Sequence, residues 1–329
     1  MSEIIGRDLE VGFAVEETRG TAQVSAEKWA KRSSASVIVK AEHTTDDNTT
    51  GVIEDSESRI VTKKWCEGTL ETTAQADMIG YILYNLYGSV TSSIVSGSVY
   101  QHIFAMQQSI QHPSLSIFIK DGSVAQKVFD TGMVKTFELN ATTDDLVRMK
   151  TEFQARNETA NSDTPSYDTE YDFIGKDITV KFADTLVGLN TADATEVKDL
   201  TITFDAGTIL DYVLGDYKPQ DIFNSRFSIE GSFTKNFIDT TWKDLFRNDS
   251  AKYVSITIEG SADIGGANHP KIELILYKLM VTDWSRSDGN DDIVTEDVSF
   301  KAFYNTSDSK QSQLTIQNLT VEYDSAPTS

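Results

Sequence analysis

The chain has a single cysteine, Cys66, in 329 residues. That excludes an internal disulfide and any cysteine-built zinc site. Beside Glu67-Gly68, Cys66 reads as a small half-buried residue. Cations are scarce too: 29 Lys and Arg stand against 51 Asp and Glu, a formal charge of −22. So acidic a surface argues against ordinary nucleic-acid binding, which sets Lys and Arg against phosphate. It suits a surface that must repel phosphate, and it also suits plain solubility. No apolar run approaches the ~18 residues of a membrane span. Met1 to Asp8 lack the basic region and apolar core of a secretion signal, so synthesis and first use in a cytoplasm are expected.

Catalytic signatures are missing as well. His43, His102, His112 and His269 are scattered, none four residues from another and none near Cys66, so no histidine metal site is expected. There is no Gly-x-Ser-x-Gly elbow, Walker-type loop or Gly-x-Gly-x-x-Gly turn. Asp288-Gly289-Asn290-Asp291-Asp292 alternates like a calcium loop, but Ile293 stands where Gly is required and Ser299 where a bidentate Glu is. It reads better as a hairpin turn. No carboxylate pair stands out in so acidic a chain. The expectation is a protein with no enzyme activity, no cofactor and no metal.

What the chain has is repetition. Gly6-Arg7-Asp8-Leu9-Glu10-Val11-Gly12-Phe13-Ala14 recurs as Gly175-Lys176-Asp177-Ile178-Thr179-Val180-Lys181-Phe182-Ala183, 169 residues on. Glu67-Gly68-Thr69-Leu70 recurs as Glu230-Gly231-Ser232-Phe233 at an offset of 163. Met133-Val134 and Asp144-Asp145-Leu146-Val147 recur as Met280-Val281 and Asp291-Asp292-Ile293-Val294 at an offset of 147. The matches keep their order and differ by loop length. Such a period is too long for a solenoid and fits two copies of a whole domain. We expect a first repeat over 1–160, a second over 161–305, and a C-terminal strand and tail over 306–329.

The local pattern is period-two alternation, as in Leu200-Thr201-Ile202-Thr203-Phe204 and Val254-Ser255-Ile256-Thr257-Ile258, which predicts half-buried strands. Leu115-Ser116-Ile117-Phe118-Ile119 follows it except at Phe118. Each repeat holds one predicted helix after its Glu-Gly strand. The first spans about 74–87, with Met78, Ile79, Ile82, Leu83 and Leu86 on one face, a Thr72/Gln75 capping box and Gly88 as the stop. The second spans about 240–247, with Trp242, Leu245 and Phe246 on one face. The fold class is therefore mainly β: two tandem, similar β-sandwich or barrel domains, each with one flanking α-helix. Asn157 to Ser166 reads as a linker. Leu314-Thr315-Ile316 and Leu319-Thr320-Val321 predict at least one further strand outside either repeat.

Several of these segments carry a resemblance. Gly6-Arg7-Asp8, Val15-Glu16-Glu17-Thr18-Arg19-Gly20-Thr21, Trp65-Cys66-Glu67-Gly68-Thr69-Leu70, Leu214-Gly215-Asp216-Tyr217-Lys218-Pro219 and Phe227-Ser228-Ile229-Glu230-Gly231-Ser232-Phe233 together resemble a major tail tube protein of a long-tailed bacteriophage, in the branch with a duplicated tube domain. The resemblance implies rings whose inner sheets join into one β-barrel, stacked into a hollow tube for DNA. It implies a virion location after assembly in the host cytoplasm, with no membrane involved. The implied partners are other copies of the chain and tape-measure, tail-tip and terminator proteins. Two tube domains per chain let three chains complete a pseudo-six-fold ring. The resemblance also implies an inter-ring hairpin loop, here about Glu42 to Ser58, with its counterpart at about Asp205 to Asn224. The candidate inter-ring residues are Asp46, Asp47, Asn48, Glu54, Asp55, Asp211 and Asp216. For acids lining the lumen the candidates are Glu138 and Glu152 in the first repeat, Asp283 and Glu296 in the second. The alternatives are a tail terminator or baseplate component of the same fold, or a duplicated β-sandwich adhesin or carbohydrate-binding module.

Overall fold

The structure is a computed structural model. It describes residues 3, 5–31, 34–46, 48, 51–53, 55, 58–287, 289 and 291–324. In chain order the first repeat holds β1 (Leu9–Val15), β2 (Lys28–Ala30), β3 (Ser34–Thr45), β4 (Arg59–Thr73), α1 (Ile79–Tyr87), β5 (Gly88–Ser96) and β6 (Val99–Met106). It continues with β7 (Leu115–Asp121), β8 (Ala125–Thr142), β9 (Arg148–Ala155) and β10 (Asn157–Ala160). The second repeat holds β11 (Ile178–Ala183), β12 (Ala194–Thr195), β13 (Asp199–Asp205), β14 (Ile209–Asp211), β15 (Asp221–Phe223) and β16 (Ser228–Asn236). Then come α2 (Thr241–Arg247), β17 (Ala251–Glu259), β18 (Lys271–Arg286), β19 (Thr295–Ala302) and the final β20 (Ser312–Asn318).

Alternation sets the faces. In β9, Met149, Thr151, Phe153 and Ala155 are buried while Arg148, Lys150, Glu152 and Gln154 point away. In β13, Leu200, Ile202 and Phe204 are buried in the same manner. Phe118, the exception to its strand's alternation, is buried too, because the second face of β7 meets Trp29, Ala14 and Val128.

The pairing is antiparallel throughout. One long sheet runs β3–β4–β9–β8–β13–β16–β19–β18. It crosses from the first repeat to the second at the β8–β13 ladder, where Thr142 faces Asp199 and Thr136 faces Asp205. The ladders correspond at the sequence offsets: Glu67 lies opposite Gln154, and Glu230 opposite Lys301. The strands β8 and β18 are long enough to serve two layers. The N-terminal part of β8 pairs with β7 and β10, and that of β18 with β17 and β20. Bulges between Val134 and Thr136 and between Val281 and Asp283 turn these strands into the long sheet. Between the layers lies one apolar core drawn from both repeats.

Helix α1 starts later than its pattern predicts. Thr72 still belongs to β4, where its hydroxyl donates to the Lys31 carbonyl, and Gln75 bonds Asp172 at 3.2 Å. Those partners occupy the two side chains expected to cap the helix. The stop holds: Gly88 is left-handed, with φ 86°. The nine residues of α1 are too few to be stable alone. Burial of Ile79, Ile82, Leu83, Leu86 and Tyr87 supplies the stability, at about 1.5–3 kcal/mol per large side chain. The second helix matches its expected span. Trp242 stands between Phe182 and Phe233, with ring centroids 4.5 and 4.8 Å away, while Phe246 is exposed.

The stretch expected to be a linker is more ordered than its composition suggests. Its first residues are β10, laddered to β8. The Asp163 carboxylate accepts the Ala26 N–H at 2.7 Å, and the Asn161 amide donates to the Val24 carbonyl at 2.9 Å. Side-chain hydrogen bonds do there what apolar burial does elsewhere. The C-terminal strand pairs within its own chain. Leu314 in β20 faces Leu274 of β18 on one side and Phe104 of β6 on the other.

Candidate assembly surface

The face of the long sheet that points away from the core is polar. Across it, side by side, stand Glu71, Lys150, Glu138, Thr203, Glu230 and Lys301. The neighbouring row on one side holds Thr69, Glu152, Thr136 and Asp205, and two rows away on the other side, beyond Asn140 and Thr201, stand Thr142, Asp199, Thr234 and Asp297. Cations on this surface face carboxylates: Lys40 with Glu67 at 3.3 Å, Lys63 with Glu42 at 3.5 Å, and Lys150 with Glu71 at 3.6 Å. Lys135 lies 3.9 Å from Glu152, Arg148 lies 2.9 Å from Asp145, and Lys301 pairs with Glu230. Such pairs are solvated and contribute little to stability. Their effect on the surface is larger, because they leave Glu138, Asp199, Asp205, Asp283 and Asp297 with no cation partner among the described residues. The net field of this face is negative.

Of the candidate lumen acids, Glu138 and Glu152 lie on this face, and Asp283 is exposed at its outermost strand. Glu296 does not belong with them. Its side chain is fully buried, with one oxygen accepting the Trp284 indole N–H at 2.8 Å and the other 3.4 Å from the Lys235 ammonium. The alternation that places Val298, Phe300 and Ala302 inward places Glu296 inward too, so its charge is used inside the fold.

The two loops differ. The β3–β4 ladder extends to Thr45 opposite Arg59, beyond the edge of its neighbours, and the exposed Asn48, Val52, Ile53 and Asp55 lie past its end. Asp46 closes that ladder, its N–H donating to the Ser58 carbonyl at 3.0 Å. Asp47 and Glu54 lie outside the described residues. The second loop is folded back. Asp211 pairs with Asp221 in the β14–β15 ladder, and Asp216 accepts the Lys218 N–H in an exposed turn. The Lys64 N–H donates to the Tyr217 carbonyl at 2.7 Å, and Lys63 sits over the Tyr212 ring. The second loop is thus tied to the first repeat, a contact with no local sequence signal.

Both ends of the long sheet are open. Among the described residues the strand β3 pairs only with β4, and the last residues of β18 pair only with β19. Where β13, its counterpart in the second repeat, has strands on both sides, β3 exposes Ile38 and Val39. Beneath the β8–β13 ladder, Phe137 packs on Phe204, with centroids 5.7 Å apart, and Tyr87 of α1 packs on Phe204 and Phe227. Arg19 crosses the same junction: its Nε lies 2.7 Å from Asp221, and its other nitrogens donate to the carbonyls of His112 and Ile222.

The remaining chemistry-bearing side chains serve the fold. Burial pushes the Cys66 thiol up to about 12, which removes its nucleophilic character. Burial lowers the pKa of His102, held between Ser92, Asn318 and Thr320, and His112 bonds only backbone carbonyls. No group of three or more His, Cys, Asp and Glu among the described residues is placed to hold a metal ion. No helix among them is long and apolar enough to cross a membrane.

An extended antiparallel sheet, apolar on one side and charged on the other, defines a mainly β protein. Residues 6–302 match the family model described as phage tail tube protein, and the chain belongs to that family. It is accordingly a structural protein of the tail tube in a phage virion. No curated protein matches the chain.

Proposed function

We propose that the chain polymerises as stacked rings into a hollow conduit for DNA, with the charged face of the long sheet turned to the lumen. The two repeats, 1–160 and 161–305, each take the place of one subunit, and the strand β20 of the C-terminal segment joins them. Three chains then complete a ring with pseudo-six-fold symmetry. The observation that carries this reading is the single eight-stranded sheet spanning both repeats, open at both edges and net acidic on one face. At about 4.8 Å per strand and a tilt of about 35–45°, three such sheets closed on one another have a backbone diameter of roughly 45–50 Å, wide enough for a nucleic-acid duplex. Unpaired carboxylates on the wall repel phosphate, so DNA slides without being held. The exposed β3–β4 hairpin, with Asp46, Asn48 and Asp55, reaches the next ring. Tape-measure, terminator and tail-tip proteins meet this tube within the virion, which is assembled in the host cytoplasm.

Electron microscopy of the purified protein tests the reading. Hollow rods with three chains per ring are expected. Six chains per ring with both repeats in the wall would overturn the ring number. Isolated rings that never stack would point to a terminator, and monomers at every concentration to a binding module.

A further inference from the structure

The β8–β13 junction is an internal seam between one repeat's last sheet strand and the other repeat's first. Its register can be carried to the open edges. At the offsets fixed by the ladders, β13 corresponds to β3 and the end of β8 to the end of β18. Thr203 faces Glu230 as Ile38 faces Glu67, and Thr136 faces Glu152 as Asp283 faces Ser299. The internal pairs Thr203–Glu138 and Asp205–Thr136 therefore become Ile38–Ser285 and Lys40–Asp283 between two chains. On the core side, Phe204 over Phe137 becomes Val39 over Trp284.

We propose that β3 of one chain adds to β18 of a second copy in this register, and that the Lys40–Asp283 pair keys the seam. The proposal rests on the ring reading above and deepens it. The occupant is a second copy because the same junction is already formed within the chain. Charge supplies the specificity. At the β18 edge Asp283 is exposed with no cation partner among the described residues, and β3 brings to it Lys40, whose ammonium also lies 3.3 Å from Glu67 in its own chain. The second repeat cannot compete for this edge, because β13 already has β16 on one side and β8 on the other, and any frayed β13 would set Asp205 against Asp283, two like charges across a ladder. The open edge thus accepts a first repeat and rejects a second, so repeats alternate around the ring and whole chains close it.

The two seams differ in a second way. The internal seam has an outer ladder as well, β6 with β20. The second repeat runs from α2 directly into β17 and has no counterpart of the β5–β6 hairpin. The seam between chains therefore has a single ladder and is the weaker of the two, so tubes come apart into intact chains.

Disulfide trapping tests the register. In a Cys66→Ala background, Ile38→Cys with Ser285→Cys should oxidise in assembled tubes and give covalent species ending at three chains on a denaturing gel. The off-register pair Ile38→Cys with Ser287→Cys should not. Tubes that form but cross-link off register, or not at all, overturn this proposal alone. A wild-type protein that never assembles overturns the tube reading together with it. Lys40→Asp should raise the protein concentration needed for assembly more than tenfold, and Lys40→Asp with Asp283→Lys should restore it. Circular dichroism of the soluble single variant shows whether it is folded. A folded Lys40→Asp protein that assembles normally, or a double variant that stays unassembled, overturns the keying role.

Discussion

Arg19 joins the repeats through one guanidinium. It is mostly buried against Asp221 and donates to two carbonyls, so Arg19→Ala leaves those acceptors without their donor. Asp221 retains the Gln111 amide at 2.7 Å, which softens the loss. The expected destabilisation is about 2–3 kcal/mol, read by urea denaturation. Glu27 acts in the other direction. Burial raises its carboxyl from 4.5 to about 7, against one opposing hydrogen bond from the Val15 N–H. Between those values the folded chain keeps a proton that the unfolded chain has released. Stability from this group is therefore whole below pH 4.5 and lost as pH rises through about 7. Gln keeps the acceptor without titrating. Glu27→Gln should therefore gain on the wild type between pH 5 and pH 8, and melting curves at the two pH values check the sign. An unchanged gap would mean that Glu27 contributes no pH dependence.

At the scale of elements, α1 is held from outside by the end of the chain. A Cβ on Gly80 would lie 2.1 Å from the Tyr323 ring, which is fully buried on the helix. The Tyr323 hydroxyl donates to the Asp77 carbonyl at 2.7 Å and meets the Asn318 amide at 2.6 Å. Helix propensity favours Gly80→Ala by about 1 kcal/mol. The contact predicts the opposite sign, a loss of about 3–5 kcal/mol, as for an emptied aromatic site. Adding Tyr323→Ala removes the clash, so the double variant should be no less stable than Tyr323→Ala alone. Strand and helix positions were legible in the sequence because alternation and helical spacing report which face is buried. The start of α1, the tie of Tyr217 to Lys64 and the Arg19 contacts were not, because each depends on residues distant in the chain. Glu296 was misread for the same reason. Its neighbours announce an inward face, but only the fold brings Lys235 and Trp284 to it.

At the scale of the molecule, the paired segments and their offsets were legible and the seam was not. The offsets match segment to segment, yet nothing in them says that β8 and β13 lie side by side or that β20 ties β6 to β18. The seam matters because it lines up acids from both repeats on one face, which a net charge of −22 could not locate. If that face lines a lumen, its carboxylates act as a repeated low barrier, and a few cations per ring would act as a brake. Glu138 and Asp199 lie two rows apart on either side of the seam, each without a cation partner among the described residues. Glu138→Lys with Asp199→Lys should leave the core untouched, since both side chains point away from it. Wild-type tubes should therefore not retain a short DNA duplex at about 0.15 M salt, while tubes of the double variant should carry it into the pellet. Retention by the variant should fall steeply as salt is raised, since it arises from released counterions. Equal retention by both tubes would place these residues on the outside of the wall, and would leave the acidic surface with solubility as its only role.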